Sequence, residues 1–165
     1  MKETKVKTLL NVKDLYQYRM HHLYGSYKGF FGVLISVMAL FTVAIRYRHL
    51  TSTWIVLLIV AGLFFTVFEP ILLWFEAKDM LTRDPALGQE LTFHFYEGGY
   101  SISDGQEMAR HDYSEIIKVD SDKHNVYLYL GKKDARIIPK RGIEDKETFR
   151  ELMLKEVHAD FIKVR

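Results

Sequence analysis

The sequence predicts an α+β membrane protein: an N-terminal two-helix transmembrane hairpin, then a water-soluble antiparallel sheet with a C-terminal helix. Two apolar runs carry the first half of that reading. Gly29 to Ile45 holds no charged residue, and Trp54 to Phe75 holds only Glu69. The second half rests on the change after Phe75, where short alternating segments separated by glycine turns replace the long apolar runs.

Thr4, Val6, Thr8 and Leu10 share one parity, a weak strand signal. Asn11 then offers an N-cap, and Asp14 stands in the favourable first turn of a helix over Val12 to Tyr24. Leu15, Tyr16, Arg19, Met20 and Leu23 recur near helical spacing, so this helix lies against the membrane surface or the soluble domain.

As a helix, the 17 residues from Gly29 to Ile45 reach about 26 Å, slightly short of a ~30 Å hydrocarbon core. Tyr27 and Tyr47 can stand at the two interfaces. The 22 residues from Trp54 to Phe75 are long enough even when tilted. The connection from Arg46 to Thr53 is short and forces an antiparallel hairpin. Gly32, Ser36 and Ala39 fall near one helical side, which suits contact between the chain's own two helices better than an oligomer interface; a homo-oligomer stays open. Pro70 cannot donate a helical hydrogen bond, so a kink is expected there. Glu69 then stands near the headgroups, the span ending near Phe68.

Charge is unevenly distributed. Residues 1–28 carry six basic and two acidic side chains, whereas residues 76–165 carry 15 basic and 18 acidic ones. The positive bias before the first run, against two arginines in the connector, places both termini in the cytoplasm. The acidic soluble half gives no reason to expect a nucleic-acid partner. With no cysteine, the chain has neither a disulfide framework nor thiol chemistry. At 165 residues there is room for one modest domain beside the membrane part.

Ala77 to Leu81 continues a helix, and Asp84-Pro85 and Gly88 mark a hinge. Leu91, Phe93 and Phe95 then share a strand face, Glu97-Gly98-Gly99 turns the chain, and Tyr100 and Ile102 return it. Asp104-Gly105 is a second turn before a third strand within Gln106 to Asp112. Ile116 to Val119, Val126 to Leu130 and Ala135 to Ile138 complete the strands, with Pro139 limiting the last. Asp145 caps a helix on which Phe149, Leu152, Met153 and Val157 share a side. Phe161, Ile162 and Val164 read as a frayed extension or a short edge strand. The domains are therefore 1–28 (cytoplasmic strand and helix), 29–75 (hairpin), 76–90 (connector) and 91–165 (sheet plus helix).

The two spans, Asp84-Pro85-Ala86-Leu87-Gly88, the run Phe93 to Ile102, Tyr113 to Lys118 and Ile137-Ile138-Pro139-Lys140-Arg141 resemble the bacterial YcxB-like membrane protein family. The resemblance implies a multi-pass protein of the bacterial cell membrane whose soluble part is a PH-like curved antiparallel sheet with a C-terminal helix. It implies no activity. Family members commonly carry Trp where this chain has Tyr113, an exchange of one aromatic core plug for another. In the Ile-Ile-Pro-Lys-Arg segment, Lys140 and Arg141 are expected to meet solvent.

Catalytic signals are sparse. His94, His111, His124 and His158 are scattered, His21-His22 is a poor chelating pair, and there is no metal-ligand spacing. Ser101, Ser103 and Ser114 lack a nucleophile elbow, and Gly98-Gly99 is no phosphate loop, being better explained by positive backbone dihedrals. The expectation is therefore no enzyme, no cofactor and no metal. Were there a site, Glu69, His94, His111, Asp112 and Arg136 would be its members. Lys132, Lys133, Arg136, Lys140 and Arg141 form a candidate basic patch for lipid or protein contact, worth roughly 1 kcal/mol per well-placed charge at a membrane. The expected role is a membrane-anchored, noncatalytic interaction or regulatory module touching the lipid bilayer and a membrane or cytoplasmic protein. The alternative is a subunit assisting a transporter or channel.

Overall fold

The structure, a computed structural model, describes residues 3–131 and 134–157, which divide into two units. Arg19–Met80 forms the helical unit, and the described residues on either side of it form the sheet unit.

The sheet unit is discontinuous in sequence. Strand β1 (Glu3–Thr8) buries Thr4, Val6 and Thr8 on one face, the parity read from the sequence. It pairs antiparallel with β2 (Leu91–Tyr96) across all six residues, Val6 opposite Phe93. Strands β3 (Gly99–Ser103) and β4 (Met108–His111) extend this sheet in the order β1-β2-β3-β4. A second sheet holds β5 (Lys118–Ser121), β6 (Asn125–Tyr129) and β7 (Ala135–Pro139), again antiparallel.

The PH-like curved sheet implied by the resemblance is therefore corrected: the seven strands among the described residues form two separate open sheets. The break follows from local chemistry. After His111 the Asp112 carboxylate accepts from the Ser114 amide at 2.7 Å and Glu115 reaches back to Asp112, a capping box that winds Tyr113–Glu115 into a 3-10 turn. That turn ends the ladder at β4, and among the described residues the next strand pairs only with β6.

Both sheets and α5 (Lys146–Val157) supply one core. Val6, Phe93, Phe95, Val126, Leu128 and Ile138 meet Phe149, Leu152 and Met153 there. Phe149 sits edge-on to Phe95 with ring centroids 5.1 Å apart; truncating such a side chain to Ala costs about 3–5 kcal/mol. Asp145 caps α5 as expected, accepting from the Glu147 and Thr148 amides at 3.0 and 3.1 Å. Tyr113 is a buried plug whose hydroxyl donates to the Tyr96 carbonyl. Of the two hairpin glycines only Gly98 has positive φ. Gly99 is required for space instead, since a Cβ there would press on the His111 carbonyl oxygen.

The chain leaves β1 through α1 (Val12–Tyr24), whose first turn is closed by a reciprocal pair. The Asn11 amide donates to Asp14 and the Asp14 amide to the Asn11 side chain, both at 3.0 Å. Leu15 is buried, Tyr18 packs on Tyr127, and Asn125 donates to Gln17.

In the helical unit, α2 (Tyr27–Arg46) runs into a short connection and then α3 (Ser52–Leu63), a π-helical turn (Phe64–Phe68) and α4 (Glu69–Arg83), the last three forming one helix from Ser52 to Arg83. Both helices are long and apolar enough to cross a membrane. The buried residues of α2 are Gly29, Gly32, Ser36 and Ala39, the small-residue side. A Cβ on Gly32 would strike the Phe65 ring, Gly62 abuts Leu40, and the Ser36 hydroxyl donates to the Ala61 carbonyl at 3.3 Å. The small stripe thus serves contact within the hairpin. A π turn stands just before Pro70, where the sequence predicts a kink.

Candidate functional site

Strand β7 projects Arg136 to the surface beside β2 and β3 residues. A groove of about 310 Å³ is lined by Thr8, Leu10, Leu91, Phe93, Ile137 and Arg136, with Asp84 and Asp104 among its polar groups. It continues into a second hollow of about 230 Å³, where Arg136 shares the wall with Ile102, Ala109, Glu107 and His111. An apolar floor with a few charges of both signs at its rim suits an amphipathic segment.

The rim groups are individually held. Asp104 accepts from the Gln106 and Glu107 amides at 2.9 and 2.8 Å, and those bonds hold its carboxyl below the usual carboxylate range. His111 stacks on Tyr100 at 5.2 Å and bonds Glu115 at 2.9 Å through Nδ1. Beside the groove, β4 pairs only with β3 among the described residues, and Met108, Ala109 and Arg110 are exposed. Among those residues its outer backbone edge is therefore open to a further strand.

Three of the five residues of the basic patch fall among the described residues. Lys132 and Lys133 lie outside the described residues. Arg136 is exposed in the groove. Lys140, expected in solvent, is buried: its ammonium donates to the Asp122 carbonyl at 2.5 Å, and desolvation lowers its pKa. The Asp122 carboxylate meanwhile collects the His124 and Asn125 amides and the Tyr127 hydroxyl, so the turn that holds Lys140 is itself fixed. Arg141 keeps partial exposure but grips the buried Asp14 with both terminal nitrogens, at 2.7 and 2.6 Å, and also the Leu9 carbonyl. That bond raises the Arg141 pKa further.

Among the five candidate catalytic residues, His111 and Arg136 line one hollow. Asp112 is spent as the cap of the 3-10 turn, and His94 lies 3.3 Å from Glu3 across the β1–β2 pair. Glu69 belongs to the helical unit. Among the described residues no three His, Cys, Asp or Glu side chains are grouped to hold a metal ion. The sequence reading offers a sheet edge to a protein partner but does not say that β4 forms it, since which strand is the edge is a property of pairing that alternation alone does not reveal.

Residues 95–153 match the YcxB-like protein family. The YcxB-like segment begins within β2 and ends within α5, so it includes β4, the Tyr113 plug, Arg136 and the Lys140-Arg141 pair, and leaves β1 and both apolar helices outside. No curated protein matches the chain, and no solved structure does.

Proposed function

We propose that this chain is a membrane-anchored, noncatalytic interaction module of the bacterial cell membrane, its sheet unit facing the cytoplasm and receiving an extended segment of a protein partner. The observation that carries the reading is the β4 edge beside the Arg136 groove, unpaired among the described residues: added backbone bonds would give affinity, and alternate side chains would enter the groove. Two helices of membrane-spanning length and the YcxB-like match support the anchor. The pairing of β1 with β2 supports an even number of crossings, because the strands flanking the helical unit must share one aqueous side. The transporter-subunit alternative loses its motive once the small residues of α2 are occupied within the hairpin.

The test is photocrosslinking in native membranes with the full chain, a photoreactive residue replacing Ala109 and, as control, Lys123. A discrete adduct from position 109 that disappears on adding Met108→Lys, with helicity and melting unchanged, supports the reading. No adduct, or the same pattern from position 123, sinks it.

A further inference from the structure

The helical unit contains a charged cavity that the interaction reading does not use. It measures about 640 Å³ and is lined by Arg19 and His22 of α1, Lys28 of α2, and Glu69 and Glu76 of α4, with Leu23 and Leu73 between them. Its level along the hairpin is fixed by packing. Gly32 meets Phe65, so Lys28, one turn before Gly32, and Glu69, one turn after Phe65, stand at the same end of the apolar stretch. From Gly29 to Ile45 and from Ser52 to Phe68 no charge occurs, which makes this end the polar boundary of both helices.

The charges in the cavity are of both signs and only partly neutralised. Arg19 pairs with Glu76 at 3.6 Å. Lys28 and Glu69 carry no ion pair among the described residues, and Glu69 is half-buried. A half-buried carboxylate without a partner is costly. An adjoining hollow of about 620 Å³ is lined by Tyr24, Tyr27, Phe30 and Phe31, an aromatic surface continuous with the exposed apolar flank of α2.

We infer that this cavity holds the headgroup of a zwitterionic phospholipid bearing a primary ammonium group: phosphate at Lys28, ammonium at Glu69, acyl chain on the Phe30 and Phe31 surface. A net-anionic glycerol headgroup offers Glu69 only neutral hydroxyl donors and leaves its charge uncompensated. A quaternary ammonium could not donate the hydrogen bonds a half-buried carboxylate accepts. The inference rests on the reading that α2 and the Ser52–Arg83 helix cross a bilayer.

The experiment is native mass spectrometry of the full chain in detergent micelles, titrated separately with phosphatidylethanolamine, phosphatidylglycerol and phosphatidylcholine. Phosphatidylethanolamine should be retained about fivefold over the other two, a charge-assisted hydrogen bond's worth of preference. Glu69→Gln should abolish that preference, Glu69→Asp should keep it, and Lys28→Gln should lower retention of all three. Arg46→Gln, at the opposite end of the hairpin, should change nothing. Equal retention of the three lipids, a preference for phosphatidylglycerol, or an unaltered preference in Glu69→Gln overturns the site. A chain that needs detergent for extraction yet shows no headgroup preference removes this site alone, whereas extraction without detergent removes the membrane reading beneath it.

Discussion

The Tyr24 hydroxyl donates to the Phe65 carbonyl oxygen at 2.5 Å, supplying a bond that the Ser52–Arg83 helix cannot make for itself. Within the π turn the Glu69 amide reaches back five residues to the Phe64 carbonyl. In that register the Phe65 carbonyl would await the amide of residue 70, and Pro70 has none.

Tyr24→Phe should therefore leave a part-buried carbonyl unsatisfied and destabilise the hairpin by about 1–3 kcal/mol. Pro70→Ala restores an amide at that position, so in its background the same Tyr24→Phe change should cost less. A double-mutant cycle by denaturant titration in micelles reads the difference; identical costs in both backgrounds would show that Pro70 has no part in the bond.

Asp14 and Arg141 lie 127 residues apart in sequence and join α1 to the segment after β7. Replacing Arg141 with Met strands a buried carboxylate, a loss of about 3–5 kcal/mol in a fully buried pair and less here because the guanidinium is half-exposed. Arg141→Lys should recover only part of this, since a single ammonium cannot span both oxygens. Thermal melts of the two variants should rank wild type, then Lys, then Met, and a Lys variant as stable as wild type would contradict the bidentate account.

Alkali should unfold the sheet unit. Burial raises the pKa values of Tyr100, Tyr113 and Tyr127 above their ordinary value and pushes Tyr129 up to about 12. For each, the folded state retains a proton that the unfolded chain releases near pH 10, so the stability present below pH 10 is lost between about 10 and 12. Lys140, with its lowered pKa, works in the opposite direction but is one group against four. Tyrosinate absorbance should thus rise in step with loss of near-ultraviolet circular dichroism; ionisation of these tyrosines with the tertiary signal intact would refute the burial argument.

Orientation can be tested in the naturally cysteine-free chain with Leu10→Cys, Thr51→Cys and His158→Cys. Positions 10 and 158 should label only from the cytoplasmic side and position 51 only from the opposite one. The reverse pattern would invert the topology, and simultaneous labelling of all three in intact cells would dispose of the spans.

Much of the local architecture is legible in the sequence because its causes are local. Uncharged runs give the two long helices, Glu97-Gly98 and Asp104-Gly105 give the turns, and Asn11, Asp14 and Asp145 give helix starts. What escaped was set by partners far away. Nothing near Thr4 announces Phe95 as its neighbour, and nothing in Lys140-Arg141 shows that one ammonium is buried at Asp122 and one guanidinium committed to Asp14. The division into two sheets depends on a three-residue capping box at Asp112, too small a signal to outweigh an expectation of one continuous sheet. The groove shares this origin: Arg136, Phe93 and Ala109 meet only after the strands have paired.

The pairing of β1 with β2 also constrains the order in which the protein can be made. Glu3 through Thr8 leave the ribosome long before Leu91 through Tyr96, with the whole helical unit synthesised between them. During that interval the first strand has no neighbour, and Val6 has no Phe93 to cover it. The sheet unit cannot assemble as it emerges; it must await the last helix of the hairpin and then recapture a segment made before the hairpin. A fragment expressed from Asp84 onward would accordingly lack an edge strand and leave β2 open to self-association.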